Sequence, residues 1–148
     1  MTPRGLRLLV AVDFSPESLA ALRAARSLVK RAGGRLTIAH VRPSSDVRAA
    51  VVEERGDLFR LTAGGLARTM ASHYEARLGK IARPAKRESV RLLRGETART
   101  ICKEAARGYD LLVMGSRGRG AVATFLLGST VQEALARSPI PVLVVPAR

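Results

Sequence analysis

Residues 110–129, which read DLLVMGSRGRGAVATFLLGS, guide the interpretation of the whole chain. Leu111–Met114 form a continuous apolar run, which is typical of a strand buried on both faces of a parallel sheet. The run ends in Gly115, and glycine recurs at Gly118 and Gly128. Because glycine has no side chain, backbone N–H groups at such positions can approach an anion closely. The stretch therefore predicts a strand that leads into a phosphate-binding loop.

A helix is expected directly after this loop. Ser129 is a candidate N-cap, and Val131 and Leu135 give the segment an apolar face. A helix N-terminus favours negative charge, so cap and anion site share one end of the helix. Two separated glycine sites beside one strand end suit an elongated polyphosphate better than a single small anion.

The rest of the chain alternates strand and helix signals. Ser15 and Pro16 are typical of a helix start, and Gly95-Glu96-Thr97 introduces a helix that carries Cys102 on its apolar face. Residues 44–63 are expected to form a flexible or partly helical insertion. A helix with the apolar stripe Leu66, Met70, Tyr74, Leu78 and Ile81 follows it. The predicted strands are Leu6–Val12, Leu36–Val41, Ser89–Leu93, Leu111–Met114 and Pro139–Val145.

Five strands with intervening helices predict one α/β domain over residues 1–148. We expect an open, doubly wound parallel sheet of order 3-2-1-4-5 with helices on both faces, a Rossmann-like architecture. Such sheets bind ligands beyond the carboxyl ends of the strands where the winding reverses. Asp13 follows the first strand and Gly115 ends the fourth. We therefore expect these two residues to meet at one crevice.

The net charge of +14 leaves two interpretations open. It favours encounter with anions in general, or it marks a nucleic-acid partner whose phosphates the arginines neutralise. The basic residues are scattered, and only two Tyr and three Phe are available for base stacking. We expect a solvated basic surface, with a dedicated nucleic-acid face as the alternative.

Several other site types are not expected. The single cysteine, Cys102, excludes an intramolecular disulfide and a cysteine metal cluster, and His40 and His73 are not at ligand spacing. We interpret His40 as a packed residue and His73 as part of a solvated helix face. No apolar run reaches the about 18 residues of a membrane span, and no signal-like cleavage pattern follows the first strand, so we expect a cytoplasmic protein.

Two known phosphate motifs were compared with the glycine loop. The lysine-bearing pattern G-x-x-x-x-G-K-[ST] does not occur in the chain. Gly118-x-Gly120-x-x-Ala123 matches a relaxed dinucleotide fingerprint, but it follows a late strand and no acidic residue for the ribose lies about 20 positions after it. Nicotinamide or flavin binding is therefore only a minor alternative.

The glycine loop resembles that of the universal stress protein family. The family's ATP-binding members carry G-x2-G-x9-G-[ST], which Gly115, Gly118, Gly128 and Ser129 match. The resemblance covers nearly the whole chain, with residues 44–63 departing most. It includes the first strand and Asp-x-Ser turn in LLVAVDFSPES, the second strand in LTIAHVRP, the start of the third helix in RGETARTI and the last strand in IPVLVVP.

The resemblance implies an adenine nucleotide alpha hydrolase-like fold with an ATP site. Asp13 would lie near the ribose or adenine, Val41 would offer backbone hydrogen bonds to adenine, and Met114 would line the cleft. The glycine amides and the Ser129 hydroxyl would contact phosphates, with Mg²⁺ or Mn²⁺ bridging phosphate oxygens. We add two arginines of the loop as partners of the terminal phosphates. The candidate nucleotide-binding residues are Asp13, Val41, Met114, Gly115, Arg117, Gly118, Arg119, Gly128, Ser129 and Thr130.

These residues also have structural interpretations. Asp13 can serve only as a turn residue and Ser129 only as a cap, while Arg117 and Arg119 can be mobile surface side chains in the absence of ligand. We interpret Met70 and Tyr74 as core residues.

We expect a regulatory protein in which ATP occupancy alters a surface or a dimer state. No nucleophile–base pair is evident, so we assign no catalytic residue and expect at most slow ATP hydrolysis. An ATPase or phosphotransferase with true turnover is the alternative, as is a basic nucleic-acid-associated protein. The terminal strand Pro141–Val145 is expected to be an edge strand that pairs with its copy in a homodimer.

Overall fold

The computed structural model of the chain describes residues 5–42, 63–83, 87–118 and 127–146. Within these ranges strands and helices alternate in the predicted order. The elements are β1 (Leu6–Ala11), α1 (Pro16–Ala32), β2 (Gly34–Arg42), α2 (Ala63–Ile81), β3 (Glu88–Arg94), α3 (Thr97–Ala105), β4 (Leu111–Gly115), α4 (Ser129–Arg137) and β5 (Val142–Val145).

The five strands form one parallel sheet of order β3-β2-β1-β4-β5, which confirms the predicted topology. The winding reverses between β1 and β4, which pair directly. The last strand is shorter than predicted and begins at Val142. The reason is local, since the Ser138 hydroxyl bonds both the amide and the carbonyl of Ile140 and forms a turn there.

Helices cover both faces of the sheet. On one face Leu8, Val10 and Val12 of the first strand and its end pack against α1 and α2. On the other face the alternate residue Leu9 belongs to a cluster with α3 and α4 that includes Cys102. This alternation is the two-residue period of a strand, and it explains why the central strands are apolar without interruption.

The helix starts follow the capping signals in the sequence with one exception. Ser15 caps α1 by accepting the amide of Ser18, and Glu96 caps α3. Ser129 does not cap α4, contrary to our expectation, because Gly128 occupies the N-cap position and no side chain caps this helix. Ser129 is instead the first helical residue, which leaves its hydroxyl exposed.

The remaining predicted features fall partly outside the described residues. The insertion predicted at residues 44–63 lies outside them except for Ala63, which begins α2, and so does the side chain of Leu66. Leu78 is buried against the core and His73 is exposed, as expected. No helix in the described ranges is long and apolar enough to cross a membrane.

Cys102 is a small core residue, as predicted. Burial raises the pKa of its thiol above the ordinary value of 9.0, the nearby carboxylates of Glu133 and Glu96 raise it further, and Arg137 lowers it. A thiol with a raised pKa is a poor nucleophile at neutral pH.

Candidate functional site

A cleft of about 560 Å³ opens at the carboxyl ends of β1 and β4. This size lies within the range of about 300–1,000 Å³ that is typical of small-molecule sites. The predicted residue Arg119 lies outside the described residues. All the other predicted residues line the cleft, namely Asp13, Val41, Met114, Gly115, Arg117, Gly118, Gly128, Ser129 and Thr130.

Asp13 is held in place by the turn that begins α1. Its Oδ1 accepts the Ser15 amide at 3.0 Å and the Ser15 hydroxyl. The Ser15 hydroxyl in turn accepts the amide of Ser18 at 3.2 Å, and the Ser18 hydroxyl donates to the Ser15 carbonyl. These bonds fix one carboxylate oxygen within the turn, so Asp13 is both the turn residue of its structural interpretation and a wall of the cleft.

Asp13 meets the glycine loop at Gly118. A Cβ atom placed on Gly118 would lie 2.6 Å from the second carboxylate oxygen of Asp13, closer than non-bonded atoms approach. The backbone of the loop therefore approaches the carboxylate this closely, without displacing it, because residue 118 has no side chain. Asp13 and Gly118 lie 105 positions apart in sequence and share one wall of the cleft. The predicted pairing of the first and fourth strands leads to this arrangement.

The second glycine site, Gly128, is hydrogen-bonded to the loop that follows Gly115. The amide of Gly128 donates to the carbonyl of Ser116 at 2.9 Å, and a Cβ on Gly128 would lie 3.5 Å from the Cα of Arg117. The Ser116 amide also donates to Val145 of β5. The start of α4 is therefore fixed beside the end of β4, where the uncapped amides of its first turn border the cleft.

The absence of a side chain at Gly115 serves a different purpose from that at Gly118. A Cβ there would lie 2.6 Å from the carbonyl carbon of Glu17 and 2.8 Å from the amide of Ser18. The missing side chain lets the first turn of α1 pack directly on the end of β4. Gly115 is thus required by helix packing, which the spacing of the motif alone does not reveal.

Arg117 lies beside a carboxylate of the first helix. Its Nη2 lies 3.9 Å from Oε1 of Glu17, and the two side chains are 32% and 18% exposed. This contact places the guanidinium at the rim of the cleft beside the phosphate-binding candidates.

One wall of the cleft is aromatic, and only part of it is evident in the sequence. His40 is buried, as predicted, and its Nδ1 donates to the carbonyl of Val12 at 2.7 Å, which fixes the proton on that nitrogen because a carbonyl only accepts. Its ring lies 4.5 Å from that of Tyr74. Both side chains line the cleft, so the interpretation of Tyr74 as a core residue is incomplete.

Phe14 supports this wall in a strained conformation. Its φ of 65° lies in the left-handed region, which a bulky residue adopts only when its surroundings enforce it. The ring stacks on Tyr74 with centroids 6.5 Å apart, and the guanidinium carbon of Arg77 lies 4.0 Å from its centroid. The strain lies directly after Asp13, where β1 turns into the cleft.

Sequence reasoning missed several cleft residues. Ser18 stands at the third helical position after the Ser15 cap, and that spacing is the signal that could have identified it. Thr97 and Ile101 of α3 and Tyr74 of α2 also line the cleft. Their contribution depends on how the helices lie against the sheet, which no local pattern reports.

Comparisons with known proteins give one consistent result. Residues 6–146 match the model of the universal stress protein family. A universal stress protein of Thermus aquaticus, named for the 3′ region of a QAH/OAS sulfhydrylase, is 34% identical over 140 residues, which cover 93% of this chain and 96% of the relative.

Solved structures share the fold. The hypothetical protein MJ0577 aligns with a TM-score of 0.79 at 21% identity over 97% of this chain and 96% of its own. A universal stress protein in complex with cAMP aligns with a TM-score of 0.61 at 22% identity over 98% and 99% of the two chains. Fold, glycine motif and family match agree, and the chain belongs to the universal stress protein family.

Proposed function

We propose that the cleft binds an adenine nucleotide, with ATP as the ligand, and that occupancy acts as a regulatory signal. The observation that carries the proposal is the contact between Asp13 and Gly118, which joins the end of β1 to the glycine loop. The Asp13 carboxylate offers acceptors for ribose hydroxyls. The amides of the loop and of the uncapped start of α4 offer donors for phosphates in the same cleft.

The lining suits the two chemical parts of a nucleotide. Val41, Met114 and Ile101 are apolar, and with Tyr74 they provide surface for a base. The loop amides and the hydroxyls of Ser129 and Thr130 provide hydrogen bonds for phosphates. The universal stress protein solved with cAMP has an adenine nucleotide as its ligand, which supports this assignment.

Arg117 is the candidate sensor of the terminal phosphate. A terminal phosphate carries more negative charge than a carboxylate, and two of its oxygens can accept from the guanidinium at hydrogen-bond distance. It is therefore a stronger partner than Glu17, whose oxygen lies 3.9 Å from the guanidinium. Binding would therefore release Glu17 on α1. This exchange links the phosphate end of the ligand to the packing of the first helix.

A divalent metal ion would enter with the nucleotide. Among the residues that the structure describes, no group of three or more His, Cys, Asp or Glu side chains could hold a metal ion. Mg²⁺ or Mn²⁺ at this cleft would take most of its oxygen ligands from phosphates and water, as Mg²⁺ commonly does.

Calorimetric titration of nucleotide-stripped protein tests the proposal. We expect saturable binding of ATP with Mg²⁺ and weaker binding of AMP and cAMP, which lack the terminal phosphates that Arg117 would contact. Absence of ATP binding at millimolar ligand would contradict the proposal. A turnover rate equal to that of ATP and metal alone would assign the protein to regulation without hydrolysis.

The dimer of the proposed regulatory state would form through β5. Leu112 donates to the Pro141 carbonyl and Ser116 to that of Val145, so these two residues of the terminal segment face β4. Because backbone groups alternate along a strand, those of Val142 and Val144 face the open edge. This edge is available to a second copy of the chain.

Val144→Pro is therefore expected to convert the dimer to a monomer. Proline removes an N–H that faces the open edge, while the bonds from β5 to β4 stay in place. Light scattering at micromolar concentration measures the mass, and an unchanged far-ultraviolet circular dichroism spectrum shows that the fold is retained. A parent protein that is already monomeric, or a variant that stays dimeric, would refute pairing through this edge.

A further inference from the structure

A second concavity, of about 910 Å³, lies at the amino ends of β1, β2 and β3. We call it the arginine groove because Arg7, Arg35, Arg87 and Arg91 line it. In a parallel sheet all strands have their amino ends on one side of the sheet and their carboxyl ends, where the cleft lies, on the opposite side. Val41 of the cleft lies six positions after Arg35 on the same strand, which corresponds to about 20 Å at the usual rise.

The groove lies on a part of the sheet that the helices of the described residues leave open. Arg7 and Arg35 are register partners on neighbouring strands, and Arg91 is the partner of Ala39. Ala39 packs in the cluster with α3 and α4, and side chains alternate along a strand, so all three arginines share this face. The helices cover its carboxyl half, whereas the amino half carries arginine side chains.

The positive charge of the groove is only partly compensated. Arg91 lies 3.4 Å from Glu104, which also accepts the Tyr109 hydroxyl. Arg35 and Arg87 are exposed, and neither forms an ion pair within the described part of the chain.

The acidic residues beside the groove are already engaged. Glu88 is bound by Arg26 on the opposite face of the sheet. Asp110 accepts the backbone amide of Arg7 at 2.7 Å. Asp110 keeps its charge, but four arginines outnumber the carboxylates of Asp110 and Glu104, so the groove presents a net positive field to a ligand.

Two further features concern how guanidinium groups are placed at the groove. The guanidinium carbon of Arg7 lies over the Tyr109 ring, 5.3 Å from its centroid, so the ring holds this guanidinium at one side of the groove. Arg87 has a φ of 62°, a conformation that glycine adopts without cost and arginine does not. An arginine is thus present where the backbone alone favours glycine.

We propose that the arginine groove binds single-stranded nucleic acid. Guanidinium groups pair with phosphates through two parallel hydrogen bonds, and the planes of the exposed Arg35 and Arg87 guanidiniums can stack on unpaired bases. Reading the bases of a duplex would need a protruding helix or ribbon that enters its major groove, whereas this surface is concave. The inference is independent of the nucleotide cleft at the opposite edge of the sheet.

Fluorescence anisotropy with a labelled 12-nucleotide oligouridine tests the proposal on the full chain in 0.1 M NaCl. We expect the double variant Arg35→Ser/Arg87→Gly to bind about tenfold more weakly than the parent. The slope of log K against log salt should fall by about 1.4, since each lost phosphate contact of a single strand contributes about 0.7. The glycine at 87 suits the left-handed backbone, so the melting temperature should not fall.

The control is Arg23→Ser/Lys80→Ser, which removes the same charge from exposed positions on α1 and α2. We expect this control to change binding less than twofold, and the groove variant to keep the parent's affinity for ATP. Equal weakening by both double variants, tighter binding of a 12-base-pair duplex, or no binding by the parent would overturn the proposal. Loss of ATP binding alone would bear on the cleft and not on the groove.

Discussion

Gly118→Glu is expected to weaken ATP binding at least about 100-fold, which corresponds to about 2.7 kcal/mol. The added Cβ would lie 2.6 Å from the Asp13 carboxylate, so either the loop or Asp13 must move. The new carboxylate would also repel both Asp13 and the phosphates. Isothermal titration with ATP and Mg²⁺ measures the loss.

Gly79→Glu is the matched control for this substitution. Gly79 lies on the exposed side of α2 and a Cβ there would meet no atom within 4 Å, so the same charge and bulk are added away from the cleft. We expect parent affinity from this control and an intermediate loss, about tenfold, from Gly118→Ala. If the parent and Gly118→Glu bind ATP equally, the nucleotide does not contact the glycine loop.

Glu88→Gln is expected to lower the free energy of unfolding by about 2–4 kcal/mol, because it breaks an ion pair that is largely buried. Oε1 of Glu88 lies 2.7 Å from Nε of Arg26, and Oε2 lies 2.8 Å from Nη2. Arg26 also donates to the Ile81 carbonyl, and the Arg83 amide donates to Glu88. The pair therefore ties α1, the end of α2 and the start of β3 together.

The effect of this pair should depend on pH. Burial raises the pKa of Glu88, but the hydrogen bonds and charges of Arg26 and Arg83 outweigh burial and hold the pKa below its ordinary value of 4.5. A lowered pKa contributes stability that is present above the unfolded-state value and is lost as the pH falls below it. Urea unfolding should thus show the full difference between parent and variant at pH 7, and a shrinking difference below pH 4.5.

An exposed ion pair provides the control. Glu133 and Arg137 form an i,i+4 contact of 3.0 Å on α4, with side chains 39% and 54% exposed. Glu133→Gln should change the free energy of unfolding by no more than about 0.5 kcal/mol, since solvent screens such pairs. Similar losses from both substitutions would show that the Arg26–Glu88 pair gains nothing from burial.

The fold could be predicted because its signals are local and repeated. The apolar runs at Leu6–Ala11 and Leu111–Gly115 identify strands covered on both faces, and the Ser15-Pro16 start identifies α1. Strand order then follows from chain connectivity, which permits few arrangements. The shortened β5 was not predicted because hydrogen bonds of the Ser138 side chain decide where it begins. The cap at Gly128 was not predicted because a backbone bond from its amide to the distant Ser116 carbonyl fixes this position.

The sequence by itself determined the order of elements, the glycine spacing and the candidate set that includes Asp13. Only the tertiary structure decided what those glycines contact: Gly115 makes room for α1, whereas Gly118 makes room for the Asp13 carboxylate. Tertiary structure also joined Tyr74 to His40 and aligned the arginine groove across three strands. The physical reason is the separation in sequence over which each effect acts. Periodicity and capping act over a few residues, whereas the packing of helices on a sheet sets contacts between residues far apart in sequence.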